Sequence, residues 1–252
     1  MIGLHLTRPE WAVWAATPPR LAAAGAITMA FALLGRLVRG VTASGAVAGG
    51  IICFLLFSCA GPGAFWTLFA LFVLTWIATR LGRARKQRLG TAERREGRKA
   101  SQVFANLGVA AGCAVLYAFR AESIWLVGMV AAMSEAAADT VSSECGQALR
   151  HEARLITTLQ RVPAGTDGGI SVVGTVFGIL AAIVVAAVAV GALMVPMRLA
   201  LLVTVTGVAG MFVDSILGAS LERRRWLNND AVNLAGTFVA AAFALGIVRL
   251  IA

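Results

Sequence analysis

Histidine is nearly absent: the 252 residues contain 2, His5 and His151. That is too few for a histidine-based metal site, and neither residue is assigned a role. Cysteine is scarce as well. Cys53, Cys59, Cys113 and Cys145 show no paired metal spacing, which argues against a zinc cluster and a disulfide framework. Three of them fall in apolar stretches and read as small buried side chains. Only 13% of residues are charged, and no stretch has the composition of a folded soluble domain. The net charge of +10 therefore has no soluble surface on which to bind nucleic acid. There is also no Gly-x-x-x-x-Gly-Lys-[Ser/Thr] phosphate loop.

Apolar residues dominate instead, at 59%. Runs of about 17 to 25 such residues cross the hydrocarbon core of a bilayer as helices, because irregular backbone cannot face lipid. Eight spans are expected, near 21–36, 44–61, 63–80, 102–119, 121–139, 170–195, 197–217 and 231–251, within a range of seven to nine. The expected fold is all-α, a polytopic transmembrane helix bundle. One transmembrane domain over 21–252 follows an N-terminal interfacial segment over 1–20. That segment lacks the form of a signal peptide, since Arg8, Pro9, Glu10, Pro18 and Pro19 interrupt it. A short interfacial helix over 8–17 is expected, with Trp11 and Trp14 at the headgroup level.

Charge orients the spans. Nine cations lie between Arg80 and Lys99, three at Arg150, Arg154 and Arg161, three at Arg223, Arg224 and Arg225, and two at Arg36 and Arg39. Eight spans put all of them on one side, leaving Arg8, Arg20, Arg120, Arg198 and Arg249 for the other. The positive-inside rule makes the basic side cytoplasmic. Its loops are expected near 81–101, 140–169 and 218–230, and the location is a bacterial inner (cytoplasmic) membrane.

Four acidic motifs sit at helix edges on that same side. Acids near lipid are costly and usually functional. Glu135, Asp139 and Ser143 share one helix face by their spacing of four, and Glu144 follows where the helix is expected to end. Carboxylates and hydroxyls suit Mg²⁺; the alternative is a solvated helix end. Gly165-Thr166-Asp167-Gly168-Gly169-Ile170-Ser171 precedes an apolar helix, whose N-terminus favours phosphate; the alternative is a loop and a cap. Asp214-Ser215 closes the seventh span, with pairing to Arg223 or Arg224 as the plain reading. Asn228, Asn229, Asp230 and Asn233 open the eighth and exceed what a cap needs. Arg98 and Lys99 abut a span carrying Gln102 and Asn106, placing phosphate-binding cations beside a polar face. Asn106 could equally join helices.

In this order, the motifs resemble an integral-membrane family that includes plant and cyanobacterial phytyl-phosphate kinases and an animal transmembrane relative. They are Gly97-Arg98…Gln102-Val103-x-Ala105-Asn106, Ala138-Asp139-Thr140-x-x-Ser143-Glu144-x-Gly146, Gly165-x-Asp167-Gly168-Gly169-x-Ser171, Asp214-Ser215-x-Leu217-Gly218-Ala219 and Asn229-Asp230-x-Val232-Asn233. The resemblance covers about residues 25–250. It implies transfer of a phosphoryl group from a nucleoside triphosphate, CTP or ATP, to a prenyl monophosphate. Asp139, Asp167 and Asp214 are the implied catalytic acids. Asp139, Glu144, Asp167, Asp214 and Asp230 are the implied Mg²⁺ ligands. Substrate contacts are implied for Arg98, Lys99, Gln102, Asn106, Ser143, Arg161, Gly168, Gly169, Ser171, Ser215, Asn229 and Asn233. Leu107 and Glu222 depart from the pattern, where a small residue and Gln are expected. The alternatives are a CDP-lipid-type cytidylyltransferase, for which the expected Lys-Asp pair is missing, and a lipid or ion transporter. Membrane lipid is an expected partner, and homo-oligomerisation is left open.

Overall fold

A computed structural model describes residues 17–149 and 152–251. The helix expected over 8–17 falls outside them except for Thr17, which precedes α1 (Pro18–Leu37). The other long helices are α2 (Ala43–Ala60), α3 (Pro62–Arg80), α5 (Ala100–Arg120), α6 (Ile124–Leu149), α7 (Val172–Leu193), α8 (Met197–Leu217) and α9 (Asn229–Ile251). A short α4 (Arg83–Leu89) lies in the basic loop after α3. All eight long helices are long and apolar enough to cross a membrane, as the eight expected spans require.

α6 is the central post, packed on α3, α5, α7, α8 and α9. It is the least apolar of the eight, yet 83% of its span is buried, whereas the far more apolar α7 is 39% buried. Lipid sets this inversion: outer helices need apolar surface everywhere, while an inner helix carries polar groups shielded by its neighbours. Residues from Leu126 to Ala138 are buried without a break.

Two departures from expectation shape the site. α6 does not end near 139; it continues to Leu149, so Asp139, Ser143 and Glu144 stand within a helix and not at its end. The segment after it also contains strand. β1 (Glu152–Leu155) pairs antiparallel with β2 (Arg161–Pro163) and β3 (Gly169–Ile170) in the order β2-β1-β3. β1 buries Ala153 and Leu155 and exposes Glu152 and Arg154, the period-2 alternation of a half-buried strand. This small sheet brings the Gly165–Gly169 turn back over the ends of α6 and α8.

Candidate functional site

α6 contributes a stripe at Asp139, Ser142, Ser143, Gly146 and Gln147, spaced by three and four and therefore on one face. That stripe forms one wall of a cleft of about 160 Å³ at the loop end of the bundle. The turn after β2 supplies Asp167 and Gly168, β3 supplies Gly169, the start of α7 supplies Ser171, α8 supplies Asp214 and Ser215, and α9 supplies Asn229. Residues from four separate motifs, expected to act together, thus line one space.

Local backbone explains the convergence. After Leu217, α8 opens into a π turn over Gly218–Glu222. An α-helix would carry Glu222 about 80° round from Asp214; the wider π turn holds it on the same side, and Glu222 lines the cleft. Such turns are frequent at functional sites. Gly168 has φ of 71°, and a Cβ there would collide with Ala219. Its lack of a side chain lets the Asp167 loop close on the end of α8.

The electrostatics are acidic at the floor. The Asp139 and Asp214 carboxyls meet side chain to side chain. Below them Glu135 is 1% exposed, enclosed where Gly210 and Gly236 leave room for it. Glu135 Oε1 and Asp214 Oδ2 are both buried without a hydrogen-bond partner. Unmet acceptors inside a bundle are costly, and oxygen-only donors suit a hard cation. Among the described residues no three acidic, histidine or cysteine side chains converge on one point. A Mg²⁺ ion here would draw one or two ligands from the chain and the rest from water and phosphate, which is its usual pattern at phosphate sites.

Arg98 does not line the cleft but acts on its floor from behind α6 residue Thr140. Its guanidinium donates to Thr140 Oγ1 at 3.2 Å, next to Asp139 in sequence, and its charge reaches Asp139. Its backbone is clamped to the α1–α2 turn, donating to Gly40 O at 3.0 Å and accepting from Thr42 N–H at 2.9 Å.

Other residues expected at the site have different partners. Glu144 forms a 2.5 Å ion pair with fully buried Lys86 of α4 and does not line the cleft. Lys99 and Asp230 pair with each other at 3.7 Å. Arg161 pairs across the sheet with Glu152 at 3.5 Å, both largely exposed. Gln102 caps α5, accepting from Lys99 N–H at 2.9 Å and donating to Glu93 at 3.1 Å. Asn106 donates to Gln102 O at 2.8 Å and is buried. Ser171 lines the cleft, but its hydroxyl accepts from Gly174 N–H and caps α7. Asn228 makes the cap of α9, accepting from Ala231 N–H, which leaves Asn229 facing the cleft. Asn233, one turn further along α9, does not line it.

Sequence reading did not single out Gln147 or Glu152 as cleft residues, and it registered Glu222 only as a departure. The stripe from Asp139 carries a signal for Gln147, four residues after Ser143. Nothing local announces the π turn that directs Glu222.

The profile of the family described as "Integral membrane protein DUF92" matches residues 26–241. The chain is 34% identical over 198 residues to the uncharacterized membrane protein sll0875 of Synechocystis, spanning 77% of each. It is 33% identical over 209 residues to the chloroplastic protein VTE6 of Arabidopsis thaliana, spanning 79% of this chain and 62% of VTE6. The uncharacterized membrane protein MJ0933 of Methanocaldococcus jannaschii is 33% identical over 215 residues, spanning 84% of this chain and 88% of that one. No solved structure matches.

Proposed function

The chain belongs to the integral-membrane DUF92 family, and from that premise we propose that it is a prenyl-phosphate kinase. It would transfer the γ-phosphoryl group of CTP or ATP to a prenyl monophosphate, in a Mg²⁺-dependent reaction on the cytoplasmic side of a bacterial inner membrane. The observation that carries this reading is one cleft in which Asp139 faces Asp214 beneath a Gly168-Gly169 turn, with the charge of Arg98 reaching Asp139 from outside the cleft's lining. The ordered motifs resemble those of phytyl-phosphate kinases. The cations of the adjoining loops lie at the cleft's end of the bundle, which supports an inward-facing cleft by the positive-inside rule.

In the reaction, an oxygen of the lipid monophosphate attacks the γ-phosphorus. The bond from that phosphorus to the β-bridging oxygen breaks, and the nucleoside diphosphate leaves. Because the nucleophile is already an anion, no base has to remove a proton. Asp139 and Asp214 are the residues that would hold Mg²⁺, with Glu135 behind them, and the ion would neutralise charge on the phosphate oxygens. Arg98 draws the lipid phosphate to the border of the cleft as a planar, bidentate donor. The backbone N–H group at Gly168 and the Asn229 amide orient the phosphates of the donor, while the Gly169 N–H closes the turn on Thr166 O. Glu144, Lys99, Asp230 and Arg161 have other partners and take no part.

Purified protein given geranylgeranyl or phytyl monophosphate, Mg²⁺ and each nucleoside triphosphate in turn is expected to yield prenyl diphosphate by mass spectrometry. Absence of that product across all donors and both lipids would overturn the reading. Gly168→Ala is expected to lower turnover about 100-fold, since a shift near 1 Å has that effect at a positioned site, while circular dichroism stays helical. Unchanged kcat would remove the Asp167 loop from the mechanism.

A further inference from the structure

A second cavity, of about 100 Å³, lies among α1, α2, α3 and α5. Its walls are apolar, with Phe31, Leu68, Leu71, Phe72, Val103 and Leu107 among them. At the loop end it is ringed by Arg39, Arg80, Arg83, Arg94 and Arg98.

Five guanidiniums around one apolar slot require an explanation. None forms an ion pair with a carboxylate among the described residues. Arg80 donates to Val38 O and lies 4.4 Å over the Trp76 ring, and Arg83 reaches only the Glu93 carbonyl at 3.5 Å. Glu93 is the single acid on the lining. Its two oxygens are engaged by the Arg94 N–H at 2.9 Å and the Gln102 amide at 3.1 Å. Guanidiniums without an ion-paired carboxylate, over a slot of aliphatic and aromatic side chains, match an anion carried on an apolar chain. Guanidiniums prefer phosphate among such anions because two N–H groups meet two oxygens.

Arg98 connects this cavity to the acidic cleft. It lines the cavity, while its guanidinium bonds Thr140, the neighbour of Asp139. A phosphate held by Arg98 from the cavity side would stand at the border of the cleft.

We propose that this cavity holds the phosphate and the first isoprene units of the prenyl monophosphate, the remaining tail leaving toward the bilayer. The proposal rests on the kinase reading for the identity of the lipid. Its volume is well under the roughly 300 Å³ at which pockets for whole ligands begin, so it receives the head end of the chain only. One slot, closed by the α2 residues Gly45, Ala46 and Gly49, admits one chain and not the two of a diacyl lipid.

The test is photolabelling of the full chain in detergent, without nucleotide, using geranylgeranyl monophosphate that bears a diazirine near its phosphate. Labelled peptides are expected within 31–49 and 68–79. Unlabelled geranylgeranyl monophosphate should abolish the labelling, geranylgeraniol should compete at least about tenfold less well for want of the charge-assisted contacts, and excess phosphatidic acid should not compete. Gly49→Leu would fill the slot, its Cβ meeting nothing closer than Val103 Cγ1 at 3.9 Å. The double variant Arg83→Gln/Arg94→Gln tests the guanidinium ring without altering the slot. Each is expected to reduce labelling by about tenfold or more. Label confined to the outer faces of α7 or α9, displacement by phosphatidic acid, or unchanged labelling in both variants would overturn the proposal. Labelling needs no turnover. Label in the cavity without diphosphate product would count against the kinase reading alone, and product with an unlabelled cavity would count against the cavity alone.

Discussion

Asp139→Asn and Asp214→Asn are each expected to lower the rate of prenyl-diphosphate formation by about 10²- to 10³-fold, the range seen when one preorganised electrostatic group is removed. Asparagine keeps the shape of the side chain and one of its oxygens but discards the charge. The two carboxyls meet directly, and they close a floor in which Glu135 Oε1 and Asp214 Oδ2 have no partner. If they act as a unit, the double variant is little worse than either single one, the non-additive behaviour of groups that share one task. Initial rates at saturating lipid and nucleotide measure this, with helical circular dichroism as the control for folding. Rates within about threefold of the unaltered protein, against the losses expected of such groups, would remove both acids from the chemistry.

Lys86→Met is expected to destabilise the protein by about 3–5 kcal/mol, the range for removing one partner of a buried ion pair. Lys86 has a fully buried side chain and Glu144 is 13% exposed, with 2.5 Å between them. The ammonium also donates to the Ala78 and Thr79 carbonyls at 3.1 and 2.8 Å. One cation thereby ties α4 to the end of α3 and to α6. Methionine fills similar space and leaves Glu144 facing it uncompensated. For a chain of this size the midpoint of thermal unfolding in detergent should fall by on the order of 10 °C. Lys86→Met/Glu144→Gln should recover more than half of that loss, because no charge is then stranded. An unaltered midpoint for Lys86→Met would contradict the account of this pair.

These expectations also show where the sequence was legible. The eight spans follow from apolar length, a property each segment carries by itself. The end of α6 does not. Ser142, Ser143, Glu144 and Gln147 lower its hydropathy and suggest an exit from the membrane, but the helix continues because α7 and Lys86 cover it. Glu144 is acidic and adjacent to a metal-like motif, so spacing alone assigns it to the site. Its partner sits in Arg83-Ala84-Arg85-Lys86-Gln87-Arg88, where nothing local separates the one fully buried cation from its more exposed neighbours. Lys99 and Asp230 are similar, since two residues from distant motifs each looked available for phosphate or metal until the fold paired them. By contrast, Asp139, Asp167 and Asp214 stand at the same end of the bundle for a topological reason, the even number of crossings between the loops that carry them. Glu152 and Leu155 illustrate a signal that was present and unused. Their strand alternates in burial, but it is too short to stand out within a loop of mixed polarity.

The apolar cavity with its ring of arginines was the least legible feature. Its parts come from four helices and the intervening basic loop, and each is unremarkable alone: an aromatic in a span, a small residue on a helix face, an arginine at the membrane surface. Arg98 acquires its meaning only when Gly40 and Thr42 fix its backbone between that cavity and Thr140.

The most direct measurement follows the γ-phosphate. Purified protein is given geranylgeranyl monophosphate, Mg²⁺ and nucleoside triphosphate labelled in the γ-position, and the label is traced through lipid and aqueous products. The account predicts label in the terminal phosphate of geranylgeranyl diphosphate, in step with release of nucleoside diphosphate. Label recovered in inorganic pyrophosphate, with a nucleotidyl lipid as the other product, would contradict it and make the protein a nucleotidyltransferase.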